Sequence, residues 1–552
     1  MKKIDLRFLG CLLLVSLLGV GFPVFGGGRQ QASAPAVNEA AILNPVGQIP
    51  IAKEKITMKI GMVRSSQIEN FDTNYLTREL EKDSNIHLEF VFYGSSDTEA
   101  KQKIELEFAA GGGDLPDILN MAFDAASTQY YGEQGLIIQL DDYVNNKISY
   151  SKASIDELGY DPWKYIKSPN GHIYTLFHAQ EEYASDISTR LYTNKAWMKE
   201  TGKGMPTTTD EFVELLRAFK NRKFNTDGTK EYAFIADKGT TLGYRFFNAL
   251  ITPFVYANGT DNYLYKDERG QISAAYASEG WRKALVWIRG MVDEGLIDPL
   301  SFTQDAEQLK AIANSTKGYC IGMSTNYPVS WYGANDPRAA DWVLLEPLAV
   351  PGGKRVGSFS TIRVSSRYAI SKNCKYPEAA FRLGDMLMNE KYSMITRYGE
   401  EGVDRIPPPP GTKSFYSGYE ISSIPTLPWA TPNNKRWEQN QPHILTYRMT
   451  AGVAAVGRVK GLEEWSNVMA AASLPFKEPE REIGPINYTT GEFENISEIK
   501  ANIDTYFVEC FTRFVIRDMS LENDWDKYIR ELKAMGLDTY INTVRTAYAR
   551  MK

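Results

Sequence analysis

The chain contains little cysteine and little histidine. Of its four cysteines in 552 residues, Cys11 lies in the N-terminal apolar stretch, which leaves Cys320, Cys374 and Cys510 without close spacing. This odd number predicts no disulfide framework and no Cys-x-x-Cys site, so we expect buried free thiols, although one pairing stays open in an oxidising compartment. The four histidines show no His-Glu-x-x-His or Cys–His pattern. We therefore expect no metal site and no cofactor.

An excess of basic charge and the common catalytic motifs are also missing. The formal net charge is −6 at pH 7, which argues against a nucleic-acid partner, since such a partner needs a basic face. Neither a Gly-x-Ser-x-Gly elbow nor a P-loop occurs. Adjacent or nearly adjacent carboxylates occur at Asp114/Asp117, Asp141/Asp142 and Glu181/Glu182. No spacing indicates the carboxyl separation that glycoside hydrolysis requires. We therefore predict no catalytic residue and a protein that is not an enzyme.

One loop invites comparison with a calcium-binding loop. Residues 225–228 have the sequence Asn-Thr-Asp-Gly. In an EF-hand frame the first ligand would be Lys223 and the twelfth Phe234, and neither side chain coordinates calcium. We expect a turn centred on Gly228 instead.

The N-terminus carries the features of an export signal. Lys2, Lys3 and Arg7 precede an apolar run at residues 9–25, which is too short and too rich in glycine for a good membrane-spanning helix. Cleavage is expected near Gly26. Residues 1–26 are then a signal peptide. Residues 27–55, rich in Ala, Pro, Gln and Asn, are predicted to be a flexible tether.

The position of Cys11 bears on where the protein resides. Leu9-Gly10-Cys11 resembles a bacterial lipidation site, but Cys11 precedes the apolar core of the signal instead of following it. We therefore assign it to the discarded signal and predict a protein secreted across the inner membrane into the periplasm. A cell-surface lipoprotein is the alternative if Cys11 is lipidated.

The pattern that follows is typical of an α/β protein with two domains, because 552 residues exceed what one hydrophobic core usually holds. Strand and helix patterns alternate at residues 56–60, 75–82, 87–93, 98–110 and 118–120. This order indicates βαβ units and a parallel sheet. Ligands lie outside the carboxyl ends of such strands, so the loop at residues 121–131 is predicted to be a binding surface.

Further along the chain, apolar residues recur at helical spacing. Thr208 and Glu211 predict a capping box, and Phe212 begins a stripe at i, i+3, i+4 and i+7. Other helices are predicted at residues 279–294, 377–398, 525–533 and 537–551. Residues 411–500 show no clear periodicity.

Six segments in order along the chain are similar to the motifs of one family. They are Gly113–Leu119, Gly135–Val144, Gly171–Leu176, Leu191–Trp197, Met205–Glu211 and Tyr319–Pro328. Together they resemble the extracellular solute-binding protein family 1, of the maltose-binding-protein type, although Phe177 stands where proline is common. The resemblance implies an α/β, two-lobed periplasmic-binding-protein fold (type II-like) with an interlobe cleft and a hinge. It also implies capture of an extracellular solute for the membrane permease of an ABC transporter.

The resemblance also suggests how the chain divides between the lobes. Lobe 1 is predicted to comprise residues 56–178 and 361–405, and lobe 2 residues 179–360 and 406–552. The chain would cross between them near residues 178–185 and 355–365. Residues 406–500 are predicted to be partly an insertion that forms a wall beside the cleft.

The predicted ligand is a carbohydrate of oligosaccharide size. Aromatic residues make up 12% of the chain, with 32 Tyr and 10 Trp, and sugar rings stack on aromatic faces while their hydroxyls bond to carboxylates and amides. The candidate binding residues are Asn120, Asp124, Glu181, Glu182, Tyr256, Asn326, Tyr327, Trp331, Tyr332, Trp429 and Trp437. We expect a monomer that closes on its ligand by a hinge motion. A peptide-binding transport receptor and a secreted carbohydrate-active enzyme are the alternatives.

Overall fold

A computed structural model describes residues 38–552, except for residues 188–189, 239–243, 260–261, 334–335, 427–431, 438, 454–466 and 468–469. The predicted signal peptide, Cys11, the first part of the predicted tether and Trp429 therefore lie outside the described residues. Residues Glu39–Lys552 form one unit by their internal contacts. Within it, two separate β-sheets define the two lobes.

The first lobe is built on a six-stranded sheet of order β14-β4-β11-β3-β1-β2. Its strands are β1 (Ile56–Met62), β2 (Ile86–Phe92), β3 (Ile118–Phe123), β4 (Thr175–Gln180), β11 (Val364–Ile370) and β14 (His443–Leu445). All pair in parallel except β11, which runs antiparallel to both of its neighbours. The carboxyl ends of the other five strands therefore meet at one edge. The predicted βαβ order is confirmed.

Buried apolar side chains on both faces hold this sheet between helices. The first-lobe helices span Glu39–Ile42, Tyr75–Ser84, Asp97–Ala109, Ala125–Glu133, Asp141–Lys147, Lys152–Glu157, Pro377–Leu387, Glu390–Tyr398 and Tyr447–Ala451. The helix predicted at residues 377–398 is two helices. The first ends at Leu387, and Asn389 caps the second, because its side chain accepts a hydrogen bond from the backbone of Tyr392.

The second lobe is built on a four-stranded sheet of order β10-β5-β9-β6. Its strands are β5 (Tyr192–Asn194), β6 (Tyr232–Phe234), β9 (Ile321–Ser324) and β10 (Trp342–Leu344). Two small antiparallel pairs lie outside the main sheets: β7 (Leu264–Lys266) with β8 (Ile272–Ala274), and β12 (Arg405–Ile406) with β13 (Ile424–Pro425).

Helices surround the second sheet and supply most of its core. They span Lys195–Thr201, Thr209–Asn221, Tyr244–Ile251, Glu279–Asp293, Ala306–Ala313, Val329–Tyr332, Thr490–Val515, Trp525–Ala534 and Leu537–Arg550. A further short helix, Tyr183–Asp186, lies in the segment between the two sheets. The capping box of Thr208 and Glu211 is confirmed, and so is the helix that it begins. The 26-residue helix from Thr490 was not predicted. Its Phe507 stacks on Tyr276 with ring centroids 4.4 Å apart, so the C-terminal helices belong to the second-lobe core. Among the described helices, none combines the length and the apolar character needed to cross a membrane.

The predicted tether ends earlier than residue 55. Ile51 and Ala52 are fully buried in the first-lobe core. The buried Arg382 donates to the carbonyls of Asn44 and Pro45 at 2.7 and 3.0 Å. The described chain is thus folded onto the first lobe from Glu39, because burying an arginine requires acceptors and this segment supplies them.

The assignment of residues 406–552 to the second lobe is wrong for its first part. Strand β14 pairs with β4 in the first sheet. Ahead of it, Asn433 accepts from the backbone of Glu69, and Asn440 accepts from the Asn120 side chain. These bonds hold residues 433–445 across the first lobe, and the chain joins the second-lobe core only afterwards.

Candidate ligand-binding cleft

Two passages of the chain between the lobes pair with each other. The first, residues 181–190, leads from β4 to β5, and the second, residues 345–363, leads from β10 to β11. The Gln180 N–H donates to the Arg363 carbonyl at 3.2 Å, and the Ser360 N–H donates to the Asp186 carbonyl at 2.8 Å. These two bonds link the first passage to the second, and the predicted crossings near residues 178–185 and 355–365 stay a prediction.

A third passage, at residues 474–482, was not predicted. It lies beside the second passage. The Gly357 N–H donates to the Phe476 carbonyl at 2.9 Å. The backbone and hydroxyl of Thr361 both donate to Glu482, at 2.9 and 2.7 Å. Burial raises the pKa of Glu482, although these two bonds oppose the shift. Within the part of the chain that the structure describes, three neighbouring passages thus join the lobes.

The strand directions place two sheet edges toward these passages. In the first lobe it is the edge where β4 ends and β11 begins. In the second lobe it is the edge where β5 begins and where β6, β9 and β10 end. The loops after these strand ends are the candidate walls of the cleft.

Four tyrosines cluster where the first passage leaves the first lobe. Tyr183 stacks on Tyr447 with centroids 4.1 Å apart and an angle of 13°, and it contacts Tyr416 at 4.6 Å. Its hydroxyl lies 3.0 Å from that of Tyr419. Burial raises the pKa of Tyr183, so its hydroxyl remains a neutral donor and acceptor.

Two buried acids lie beside this cluster. Glu181 is 5% exposed and accepts a hydrogen bond from the backbone of Tyr447 at 3.1 Å. Asp186 accepts from the Tyr447 hydroxyl at 2.7 Å and lies 3.7 Å from Arg363. Burial raises the pKa of each carboxyl to about 7. Near neutral pH these groups can therefore either donate or accept a hydrogen bond.

The neighbouring Glu182, predicted to contact ligand, has its carboxylate committed to the protein. It accepts from Arg397 at 2.7 Å, from Gln180 at 3.1 Å and from the hydroxyl of Ser185. Burial pushes its pKa upward, but the Arg397 charge and the Ser185 hydroxyl outweigh burial, and the pKa lies below its ordinary value. Glu182 therefore fixes the start of the first passage to the first lobe.

Two histidines lie side by side on the adjacent strands β4 and β14 of the first lobe, near the ends of these strands that lead to the cleft. The rings of His178 and His443 are 5.0 Å apart. Burial lowers the pKa of both, to about 4 for His443. Because Arg367 donates to Nδ1 of His178 at 3.3 Å, the proton of that ring is on Nε2, which faces the Ser365 hydroxyl at 3.4 Å. The pair is neutral at physiological pH.

The candidate on β3, Asn120, and the candidate directly after it, Asp124, differ in what they can offer a ligand. Asp124 is partly exposed, accepts from Lys101 at 2.8 Å and caps the following helix through Ser127. Burial opposes these bonds, but together they hold the pKa of Asp124 below its ordinary value. Asn120 is almost fully buried, and its amide donates to the Asn440 carbonyl at 3.0 Å. This burial contradicts direct ligand contact by Asn120, whereas Asp124 lies at the rim.

In the second lobe, the loops after β6 and β9 are tied by one amide. Asn326 donates to the Asp237 carboxylate at 2.6 Å and accepts from the Asp237 backbone at 3.2 Å. Because Asn326 is also buried, its predicted contact with ligand is contradicted, and it positions Asp237 instead. Tyr327 is partly exposed, and its ring contacts Tyr192 at 5.9 Å. It remains a candidate for the second-lobe wall.

The remaining predicted aromatic residues are in the protein interior. Trp331 is 3% exposed and packs edge-on against Trp342 at 5.3 Å, and Tyr332 lies under Arg338 in the same cluster. Trp437 is fully buried in the first-lobe core, and its indole N–H donates to Thr77 at 2.9 Å. Stacking by these three side chains is contradicted, since none offers a free ring face.

Tyr256 also has a structural role in place of the predicted one. Its hydroxyl donates to the Phe359 carbonyl at 3.2 Å, and Asn258 donates to the same carbonyl at 2.9 Å. Both residues thereby attach the second passage to the second lobe. Tyr256 also lines a pocket of about 430 Å³ formed mainly by residues 252–256, 265 and 267–269.

In the loop at residues 225–228, which was compared with a calcium site, nearby carboxylates accept hydrogen bonds from backbone N–H groups of the same segment. Glu231 accepts from the backbone of Phe224 at 2.8 Å and from that of Asn225, and Asp227 accepts from Thr229 at 2.9 Å. Gly228 takes the predicted turn with φ of +82°. Across the described residues no group of three or more His, Cys, Asp or Glu side chains is arranged to hold a metal ion.

Sequence reasoning missed the tyrosine cluster and the histidine pair. Tyr183 and Tyr447 are 264 positions apart, and His178 and His443 come together only because β14 adds to the sheet beside β4. The one local signal was the run Glu181-Glu182-Tyr183 directly after a strand. Nothing in the run 416–447 indicated where it would pack.

Two α/β lobes joined by three adjacent passages, with strand ends facing a cleft, define a hinged receptor for a solute. The chain belongs to the bacterial extracellular solute-binding protein family, whose sequence profile matches residues 66–394.

Among similar proteins is FusA of Streptococcus pneumoniae, a fructooligosaccharide ABC transporter substrate-binding protein. The two are 22% identical over 534 residues, which cover 93% of each chain. Lipoprotein LipO of Bacillus subtilis is 25% identical over 206 residues, 37% of each chain.

Solved structures share the fold. FusA in complex with kestose has a TM-score of 0.68 at 20% identity, over 90% of this chain and 99% of that one. An HMO-binding, ABC-transporter-associated solute-binding protein from Bifidobacterium longum infantis has a TM-score of 0.73 at 18% identity, with the same coverage. The two-lobed architecture is therefore that of known solute-binding proteins.

Proposed function

We propose that this chain is the substrate-binding component of an ABC importer, which captures an extracellular oligosaccharide by hinge closure and delivers it to the permease. The observation that carries the proposal is the cleft at the three passages, with neutral tyrosines and buried acids at its first-lobe edge. FusA is described as a fructooligosaccharide ABC transporter substrate-binding protein and is similar to this chain over nearly its whole length. This similarity supports a ligand of oligosaccharide size.

The side chains that we propose for ligand contact are those at the cleft walls. On the first lobe they are Asp124 and Glu181, together with the exposed parts of Tyr419 and Tyr447. Glu181 is about as buried as Asn326, but only one of its carboxylate oxygens accepts a hydrogen bond within the described residues. On the second lobe it is Tyr327. Glu181 suits a sugar hydroxyl because its carboxyl changes between donor and acceptor near neutral pH. A neutral sugar also requires no net charge from the site.

Closure follows from the way the lobes are joined. We propose that the boundaries between the lobes lie at residues 181–187, 357–363 and 474–482, where the passages bond to one another. A solute that contacts both walls stabilises the closed state, and only this difference in contacts shifts the equilibrium. The permease then recognises the closed form. We propose that the protein acts as a monomer outside the inner membrane.

The direct test is a thermal-shift screen with fructooligosaccharides, maltooligosaccharides and short peptides. A ligand at 100 times its Kd stabilises the native state by about 2.7 kcal/mol, so a true ligand raises the melting temperature in proportion to the logarithm of its concentration. Stabilisation by peptides and not by sugars would replace this proposal with a peptide receptor. Release of new reducing ends from any of the sugars would replace it with an enzyme.

A pair of tyrosine variants tests the second-lobe wall. Tyr327→Ala should weaken sugar binding about tenfold in calorimetry, because a partly exposed ring is lost from the wall. The matched control is Tyr332→Phe, which removes a buried hydroxyl that forms no hydrogen bond within the described chain and should leave affinity unchanged. Equal affinity in both variants would remove Tyr327 from the site.

A further inference from the structure

A second concavity lies on the first lobe, where β1 and β2 end. It encloses about 460 Å³ and lies outside the passages that form the hinge. Its lining comes from the loop after β1, the last residues of β2 and the start of the next loop. No predicted site residue contributes to it.

The floor of this pocket is aromatic. The ring centroids of Phe71 are 5.2 Å from Phe90 and 5.0 Å from Phe92, and Phe90 and Phe92 stack at 6.3 Å with an angle of 11°. Phe71 is buried, whereas Phe90 and Phe92 are partly exposed, because β2 is the edge strand of the sheet. The pocket therefore presents ring faces at its base.

The floor is supported from behind by the segment that crosses the first lobe. Trp437 packs edge-on against Phe90 with centroids 5.6 Å apart. The Glu69 N–H donates to the Asn433 carbonyl at 3.1 Å, and Ile68 bridges to the same residue. These contacts hold the loop after β1 in place, so the pocket is preformed.

The rim carries polar groups that the protein leaves unused. Arg64 lies over the Phe92 ring at 4.8 Å and has no carboxylate partner among the described residues. The side chains of Glu69 and Asp72 make no hydrogen bond or ion pair within the described ranges, and both are exposed. Ser66 adds a hydroxyl. One cation and two carboxylates around an aromatic floor give hydrogen-bonding capacity in both directions without a strong net charge.

We propose that this pocket binds one sugar unit at the far end of a neutral oligosaccharide whose other units lie in the cleft. The sugar ring would take the place of the Arg64 guanidinium over Phe92, and its hydroxyls would bond to Asp72, Glu69 and the displaced Arg64. Neighbouring strands are about 4.8 Å apart, so Phe92 at the end of β2 lies roughly 10 Å across the sheet from Asn120, with which it is level. Asp124, where the cleft wall begins, follows four residues further along the chain, so it lies roughly 16 Å from the end of β2. Only a chain of several units reaches both places. This inference rests on the proposed function and adds a chain-length preference to it.

The test is calorimetric titration with two series of increasing length, fructooligosaccharides from kestose upward and maltooligosaccharides from maltose upward. For the wild type, affinity should rise as the chain becomes long enough to reach the pocket. Phe92→Ala should weaken the affinity for the long oligosaccharides about tenfold and leave the affinity for the short ones unchanged.

Two further variants complete the experiment. Asp72→Asn changes an exposed side chain without contacts, so it folds as the wild type does, and it should weaken binding of the long members alone. Phe493→Ala removes a partly exposed phenylalanine from a second-lobe helix and should change nothing. Wild-type affinity of both Phe92→Ala and Asp72→Asn for every chain length would overturn the pocket. A wild type that binds neither series would instead overturn the proposed function.

Discussion

Replacing Trp437 tests whether this tryptophan stacks on the ligand or packs in the first-lobe core. As a ligand platform it would affect affinity, whereas in the structure its ring packs against Phe71 at 6.5 Å and Phe90 at 5.6 Å and is fully buried. Truncation of such a residue removes the contacts and leaves a cavity, which costs about 3–5 kcal/mol. We therefore expect Trp437→Ala to lower the free energy of unfolding by that amount.

The more conservative substitution Trp437→Phe separates the loss of the hydrogen bond from the loss of packing. Trp437→Phe keeps an aromatic ring in the core but loses the hydrogen bond to Thr77, which is worth about 1 kcal/mol. Thr77 still donates to the Phe71 carbonyl at 2.6 Å, so its hydroxyl is not left without a partner. The phenylalanine variant should lie between the wild type and the alanine variant.

The assay is urea unfolding followed by tryptophan fluorescence and circular dichroism, whose transitions must coincide for one free energy to be defined in a two-lobed chain. Sugar affinity is measured separately by calorimetry, at a temperature where each variant is folded. Unchanged stability together with a tenfold loss of affinity in Trp437→Ala would refute the core assignment.

Three other changes have expected outcomes. Arg397→Met leaves the largely buried carboxylate of Glu182, 19% exposed, without its cation and should lower the free energy of unfolding by about 3 kcal/mol. Glu181→Gln removes an acid whose pKa burial raises to about 7. The folded wild type holds this proton more tightly than the unfolded chain, so its stability falls between pH 4 and pH 8, by about 3 kcal/mol from this group, and the variant should lack that fall. Gly322→Ala places a Cβ 2.6 Å from the Trp197 ring and should cost about 1–3 kcal/mol.

Each of these changes has a control or a result that contradicts it. Arg217→Met breaks an exposed ion pair with Glu294 and should cost less than about 1 kcal/mol, so a loss as large as that of Arg397→Met would contradict the burial argument. A pH profile of Glu181→Gln identical to that of the wild type would show that this carboxyl titrates normally. Gly290→Ala adds a Cβ with no neighbour inside a helix and should stabilise by about 0.5–1 kcal/mol, which makes it the opposite-sign control for Gly322.

The fold was predictable wherever local pattern and local structure agree. The capping box at Thr208 and the apolar stripe after it produce a helix in any context that buries one face. The alternation of strands and helices before residue 120 has few other solutions than a βαβ sheet. The ordered motifs indicated the family, which the sequence profile over residues 66–394 confirms.

The candidate site was less predictable, because the sequence does not say which side of a loop faces solvent. Trp331 and Trp437 have the composition expected of ligand platforms, yet both are buried, since an aromatic side chain gains as much from a core as from a sugar. Asn326 was placed at the correct loop, but its amide is used to fix Asp237.

By itself, then, the chain's order of residues indicated the two-lobed class and most elements before residue 400, but not the helix Thr490–Val515. Tertiary structure alone decided that Tyr447 stacks on Tyr183, that His443 pairs with His178, and that burial raises the pKa of Glu181 to about 7. The physical reason is distance along the chain. Helix and strand periodicity is set within a few residues, whereas burial, stacking and desolvation depend on segments hundreds of residues apart that meet only when the sheet is complete.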